Sequence, residues 1–287
     1  MKKVIISFSL CLCVGFAAIA QDVEEEFNAA YANKRGVYLL PQAGDFALGV
    51  DASPFLRYLG NIFTSSFNPA PQFNGVDQTI YGKYFLQDNR AIRARLTFNF
   101  SNIENKGVVP NDAKIADDPD ATLFDSQRLS STEVFFGAGY ELRRGNGRVQ
   151  GFYGGELLFG FGSEKRAYKY ANRMNEDNKT PSSYNFDGNR WSTGRTTEVK
   201  PGKILSVGLG AFAGVEYFFA PQMSLGGEFG LGFYFSSTGQ GQRTWEGWNT
   251  TDNERKVHTD KDYAWDNAQD LGFLTRPSGR IYLMFHF

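Results

Sequence analysis

Lys83, Arg93, Arg95 and Arg280, with Asp51, Glu133, Glu141, Glu156, Glu216 and Glu228, are the ionisable residues whose placement suggests joint chemistry. Each falls at an alternate position in a stretch whose intervening residues are mainly apolar or small, so each projects from one face of an extended chain. Acids and bases gathered on one enclosed face can carry ions or protons along a polar path. They can also neutralise one another as a structural network, because an unpaired buried charge is costly. The spacing leaves both readings open.

Other chemistries have less to work with. His258 and His286 are the two histidines, and neither has a serine at a recognisable spacing for acyl transfer. Asp112, Asp117, Asp118 and Asp120 make one segment acidic, but without the ligand order of a calcium loop. Cys11 and Cys13 are the only cysteines and lie in the apolar N-terminal run, so no metal site or cofactor is expected from them. A net charge of −1 offers no electrostatic case for nucleic acid. Aromatic residues are abundant, and the four tryptophans, Trp191, Trp245, Trp248 and Trp265, all fall in polar segments. Trp and Tyr dominate binding hot spots, which makes these four the candidates for recognition; the competing reading is a packed cap without a ligand.

The elements that must position these residues are strands. Ile92, Ala94, Leu96, Phe98 and Phe100 alternate with Arg93, Arg95, Thr97 and Asn99. The same period of two runs through 133–142, 152–161, 205–217, 225–235 and 280–287, with weaker strands near 46–52 and 79–86. Short turns join the second strand to the third (87–90), the fourth to the fifth (144–147) and the sixth to the seventh (220–222). Long polar connections, about 53–78, 102–131, 163–203 and 236–275, are expected as loops. Short turns at one end and long loops at the other predict an eight-stranded antiparallel up-and-down transmembrane barrel, all-β, with four extracellular loops. Phe98/Phe100, Phe159/Phe161 and Phe233/Phe235 place outward aromatic pairs at one rim, as an interfacial girdle requires. An eight-stranded wall leaves room mainly for side chains, which favours the network reading of the inward charges.

Lys2 and Lys3, the apolar run to Ala20 and the ending Ala18-Ile19-Ala20 read as a cleaved signal peptide over residues 1–20. Residues 21–35, including Glu24, Glu25 and Glu26, are expected as a periplasmic segment and 36–287 as the barrel. After Ala20 no apolar run is long enough for a helical span. The chain then resembles the small outer-membrane barrels of the broad kind that includes OmpX and OmpW. Its closing Arg280-Ile281-Tyr282-Leu283-Met284-Phe285-His286-Phe287 resembles the C-terminal strand read by the barrel assembly machinery, with Phe285 and Phe287 as the signal. The stretches Leu40-Pro41-Gln42-Ala43-Gly44-Asp45-Phe46-Ala47-Leu48-Gly49 and Asp51-Ala52-Ser53-Pro54-Phe55-Leu56 resemble barrels of Bacteroidota. Such a fold hosts many activities, so function is argued from the site. The expectation is an outer-membrane protein in contact with lipid that binds through its loops, with a complex partner or a surface glycan as the ligand and no enzymatic role. The alternatives are a narrow channel for ions or small apolar molecules, and a lipid-modifying enzyme.

Overall fold

The computed structural model describes residues 38–55, 78–145, 147–191, 193–261, 268–274 and 280–287. The expected signal peptide and periplasmic segment, most of 53–78, and Trp265 lie outside them. Among the described residues there are thirteen strands: β1 (Phe46–Asp51), β2 (Gln78–Gln87), β3 (Arg90–Pro110), β4 (Thr122–Arg144), β5 (Val149–Lys169), β6 (Arg190–Trp191), β7 (Gly194–Lys200), β8 (Ile204–Ala220), β9 (Met223–Thr238), β10 (Gln242–Asn249), β11 (Glu254–Lys261), β12 (Ala268–Leu274) and β13 (Arg280–His286).

All ladders are antiparallel and they close on themselves. β1 pairs with β2, β2 with β3, β3 with β4, β4 with β5, β5 with β8, β8 with β9, β9 with β13, and β13 with β1. A closed circuit leaves no edge in the wall, so its ladder donors and acceptors find partners on both sides of each strand. The period of two sets its faces. Along β3, Ile92, Leu96 and Phe100 are exposed to the outside while Arg93, Arg95 and Thr97 are buried inside. β8 and β9 behave alike: Val207, Val215, Leu225 and Phe229 face out, and Phe212, Glu216, Ser224 and Glu228 face in.

The long connections depart from expectation. Residues 102–131 are mostly strand, because β3 and β4 stay paired as far as Pro110 opposite Thr122. β5 likewise runs to Lys169, and beyond Gly162, where its register with β8 ends, its partner becomes β7. β7 then pairs with β10, and β10 with β11. The wall thus continues upward as a polar extension of the same sheet. Sequence reads these stretches as loops because many of their buried positions carry polar residues, Asp125, Gln127, Arg195 and Thr196 among them, and the apolar alternation that marks a strand disappears.

The end with the short turns is closed from below. Leu39 and Leu40 are buried against Phe218. The backbone of Gly44 donates to the Phe85 carbonyl, and that of Ala43 donates to the Asp88 carboxylate in the β2–β3 turn. This segment therefore sits under the barrel and not beside it.

Candidate functional site

Inside the wall, alternation delivers the charges predicted from sequence, and closure brings them together. Lys83 donates to Glu141 at 3.0 Å and to Glu216 at 3.3 Å. Arg93 donates to Glu228 at 2.7 Å and stands 3.7 Å from Glu141. Arg95 grips both oxygens of Glu156 through Nε, at 3.1 and 3.0 Å, with Nη2 2.7 Å from Oε1. Arg280 reaches the other oxygen of Glu228 at 3.3 Å. Paired and hydrogen-bonded in this way, the charges meet the condition under which burial is tolerated.

Close packing depends on glycines at the same level. A Cβ on Gly137 would lie 2.9 Å from both Cγ and Nε of Arg95, and one on Gly226 would run into the Tyr282 ring. Aromatic rings fill what the ion pairs leave. Ala47, Tyr81, Phe85, Ala91, Phe152, Phe212, Tyr282 and Met284 form one buried cluster. Arg93 lies over the Phe212 ring at 3.8 Å and Lys83 over Phe152 at 4.8 Å, so the rings also contribute cation–π attraction.

Two expectations are corrected here. Glu133 shares the inward phase of β4 but is exposed above the packed region and has no ion pair among the described residues. It sits too far towards the open end to meet the cations of β2 and β3. His286, for which spacing offers no serine partner, is buried with Nε2 3.0 Å from the hydroxyl of Ser224. That hydroxyl also donates to Glu216 at 2.5 Å. A Ser/His/acid group therefore exists that sequence spacing does not reveal. Its geometry differs from a catalytic triad, because Glu216 approaches the same Nε2, at 3.6 Å, and not the opposite ring nitrogen that orients a general base.

Arg143 belongs to the network without having been singled out by its spacing. Its guanidinium is fully buried and bridges Glu141, at 2.8 Å, to Glu216, at 2.7 Å, while Nε donates to Gln150 at 3.0 Å. It stands two residues beyond Glu141, so the same alternation extended by one step identifies it. Asp51, also expected inward, accepts from the backbone of Ser53 at 2.7 Å.

Above the wall, the polar segments form an ordered cap. Asp125, fully buried, accepts from the backbones of Ala171 and Tyr184, both at 2.8 Å. Asn172 donates to the carbonyls of Pro110 and Ser182. These bonds tie residues 171–184 to the β3–β4 hairpin. Buried Arg195 donates to Glu246 at 2.7 Å, to the Ser183 hydroxyl at 2.7 Å and to the Asn172 carbonyl at 2.8 Å. Arg255 takes the other oxygen of Glu246 at 2.7 Å. Tyr170 hydrogen-bonds the Thr196 carbonyl, and burial raises its phenol well above the usual range, keeping it a neutral donor.

The structure assembles two of the candidate tryptophans and separates a third. Trp191 packs edge-on to Trp245 at 5.2 Å, and Trp245 stacks on His258 at 4.3 Å while its indole donates to Asp260 at 2.9 Å. Trp248 stands apart, with Lys179 over its ring at 5.6 Å. Among the acidic residues, Asp112 accepts from Ser182 at 2.7 Å and from Asn178 at 2.6 Å. Burial acts to raise its carboxyl, but these bonds and the Arg195 charge outweigh it and hold the group below the ordinary range. Among the described residues, Asp112, Asp117, Asp118 and Asp120 do not form a metal-binding group.

No protein-family model matches the chain, and no curated protein matches it. Among solved structures the chain is similar to a major outer membrane protein from Thermus thermophilus, at 14% identity and a TM-score of 0.39, over 85% of this chain and 100% of that one. It is also similar to the outer membrane protein OprG from Pseudomonas aeruginosa, at 10% identity and a TM-score of 0.33, over 87% and 98%.

Proposed function

We propose that the chain is an integral outer-membrane protein that acts as a non-enzymatic binding or accessory component through its cap. In this reading the closed circuit is an eight-stranded transmembrane wall, exported by a signal peptide cleaved after Ala20. The short turns face the periplasm and four longer excursions stand outside the cell, as in the Bacteroidota barrels that its sequence resembles. Phe285 and Phe287 serve as the signal for barrel assembly, and both side chains are exposed on the wall.

The outward face supports the membrane. Leu48, Ile80, Ile92, Leu157, Phe229 and Phe233 are among many large apolar side chains left exposed around the wall. A patch of that extent is untenable in water and suits lipid.

The observation that carries the functional reading is the packed lumen. Ion pairs and rings that are almost wholly buried fill the wall, and Leu39 and Leu40 close its lower end. Accessible polar chemistry is then concentrated in the cap, on a rigid scaffold, where recognition is usually placed. The test is purification from native membranes in mild detergent, followed by identification of bound proteins and glycans, for wild type and Trp245→Ala. A component that leaves with the substitution while the barrel stays folded is the expected result. A component retained unchanged, or none at all, would contradict the reading.

A further inference from the structure

The cap contains two clefts on either side of Arg195 and Met174. The first, of about 430 Å³, is lined by Lys179, Arg190, Trp191, Thr180, Ser183 and Thr193 among others. The second, of about 500 Å³, includes Tyr168, Tyr170, Arg173, Arg255 and Glu246. Both volumes lie in the range of ligand-binding clefts.

Their charge is unbalanced. Five cations line the two clefts, Lys179, Arg190, Arg195, Arg173 and Arg255, against the single carboxylate of Glu246. That carboxylate is already taken at one oxygen by Arg195 and at the other by Arg255. Lys179, Arg190 and Arg173 have no ion pair among the described residues. All three are exposed, so their charged ends are accessible to a ligand arriving from solvent. Their natural complement is a carboxylate or phosphate. The Thr180 and Thr193 hydroxyls and the Trp191 indole line the same cleft and add hydrogen-bonding groups and an apolar wall, the combination that suits a sugar ring with its hydroxyl edges and C–H faces.

We propose that the cleft beside Trp191 binds an acidic oligosaccharide, its carboxylates held by Lys179 and Arg190. This rests on the reading of the cap as a recognition surface and names the ligand class. The test is titration calorimetry of the full chain in detergent micelles with tetragalacturonate, neutral maltotetraose and inorganic phosphate. Tetragalacturonate is expected to bind, to weaken with added salt, and to weaken by about tenfold or more in Lys179→Gln/Arg190→Gln. Lys114→Gln, on the exposed β3–β4 turn, should bind as wild type does. Gel mobility of unboiled samples shows that each variant is folded, and the salt series on wild type stands if the double variant is not. Equal binding of maltotetraose, equal binding of phosphate alone, salt-independent binding, or no binding of tetragalacturonate would each overturn the proposal. If tetragalacturonate fails while Trp245→Ala still removes a native-membrane component, the ligand class falls and the recognition reading survives.

Discussion

Arg93 on β3 donates to Glu228 on β9 at 2.7 Å, although β4, β5 and β8 separate the two strands one way round the wall and β2, β1 and β13 the other. The pair therefore spans the lumen between opposite walls, as Lys83 and Glu216 do from β2 to β8. Removing one partner leaves the other charged and buried. Arg93→Ala is expected to destabilise the folded barrel by roughly 3–5 kcal/mol. Arg280 still reaches Glu228, which places the loss towards the lower end. Denaturant unfolding in micelles measures it. A loss no larger than that of Lys114→Ala would show that the pair does not hold the walls together.

The Arg95–Glu156 pair crosses β4 at a glycine. Gly137→Ala brings a methyl 2.9 Å from the Arg95 side chain and 3.2 Å from Glu156 Oε2, so the pair must move. Overpacking of this kind costs about 1–3 kcal/mol. Gly227→Ala, on the outward face of β9 with nothing within 4 Å, is the matched control and should be near neutral. Equal effects in the same unfolding assay would mean that the clearance at Gly137 is not needed.

In the proposed transmembrane reading the outward face is intolerant of charge. Leu209→Arg and Phe229→Arg are each expected to cost about 2–4 kcal/mol near mid-membrane. Ser206→Arg, directed inward towards the open end, should be better tolerated. Folding yield into lipid vesicles compares the three, and identical yields would reverse the assignment of faces.

The cap should loosen in acid. The Asp112 carboxyl is held below its usual range despite partial burial, because Ser182 and Asn178 hydrogen-bond its charged form. A depressed carboxyl contributes stability above its unfolded value and loses it as pH falls through the folded one. Protease cleavage within 171–184 should therefore rise as pH drops below the ordinary carboxylate range. Asp112→Asn should show the higher cleavage at neutral pH and lack the acid step. A pH-independent pattern in wild type would mean that this carboxylate does not secure the segment.

Legibility in the sequence follows the physics of each region. Within the wall, one face is exposed and apolar and the other forms a packed interior, so Arg93 and Arg95 against Ile92 and Leu96 declare their sides. The inward charges are readable for that reason, and Arg143 escapes only where the alternation is taken to end at Leu142. Their partners are not readable, since Lys83–Glu216 and Arg93–Glu228 depend on closure of the ladders. The extensions of β3 and β4 above Ser101 and Ser131 look like loop in the sequence, because Asn102, Glu104 and Lys106 carry no apolar period. The cap is opaque for a further reason. Asp125, Asn172 and Arg195 act through backbone groups far away in sequence, and no spacing rule reports such contacts.

Planar-bilayer recording tests the central claim most directly. Purified full-length protein, inserted into the bilayer and shown to be folded by its gel mobility, is expected to give no unitary currents, because the Lys83–Glu141–Arg143–Glu216 network, the aromatic cluster and Leu39–Leu40 fill the lumen. Discrete, reproducible conductance steps in that preparation would contradict a sealed barrel and favour a narrow channel.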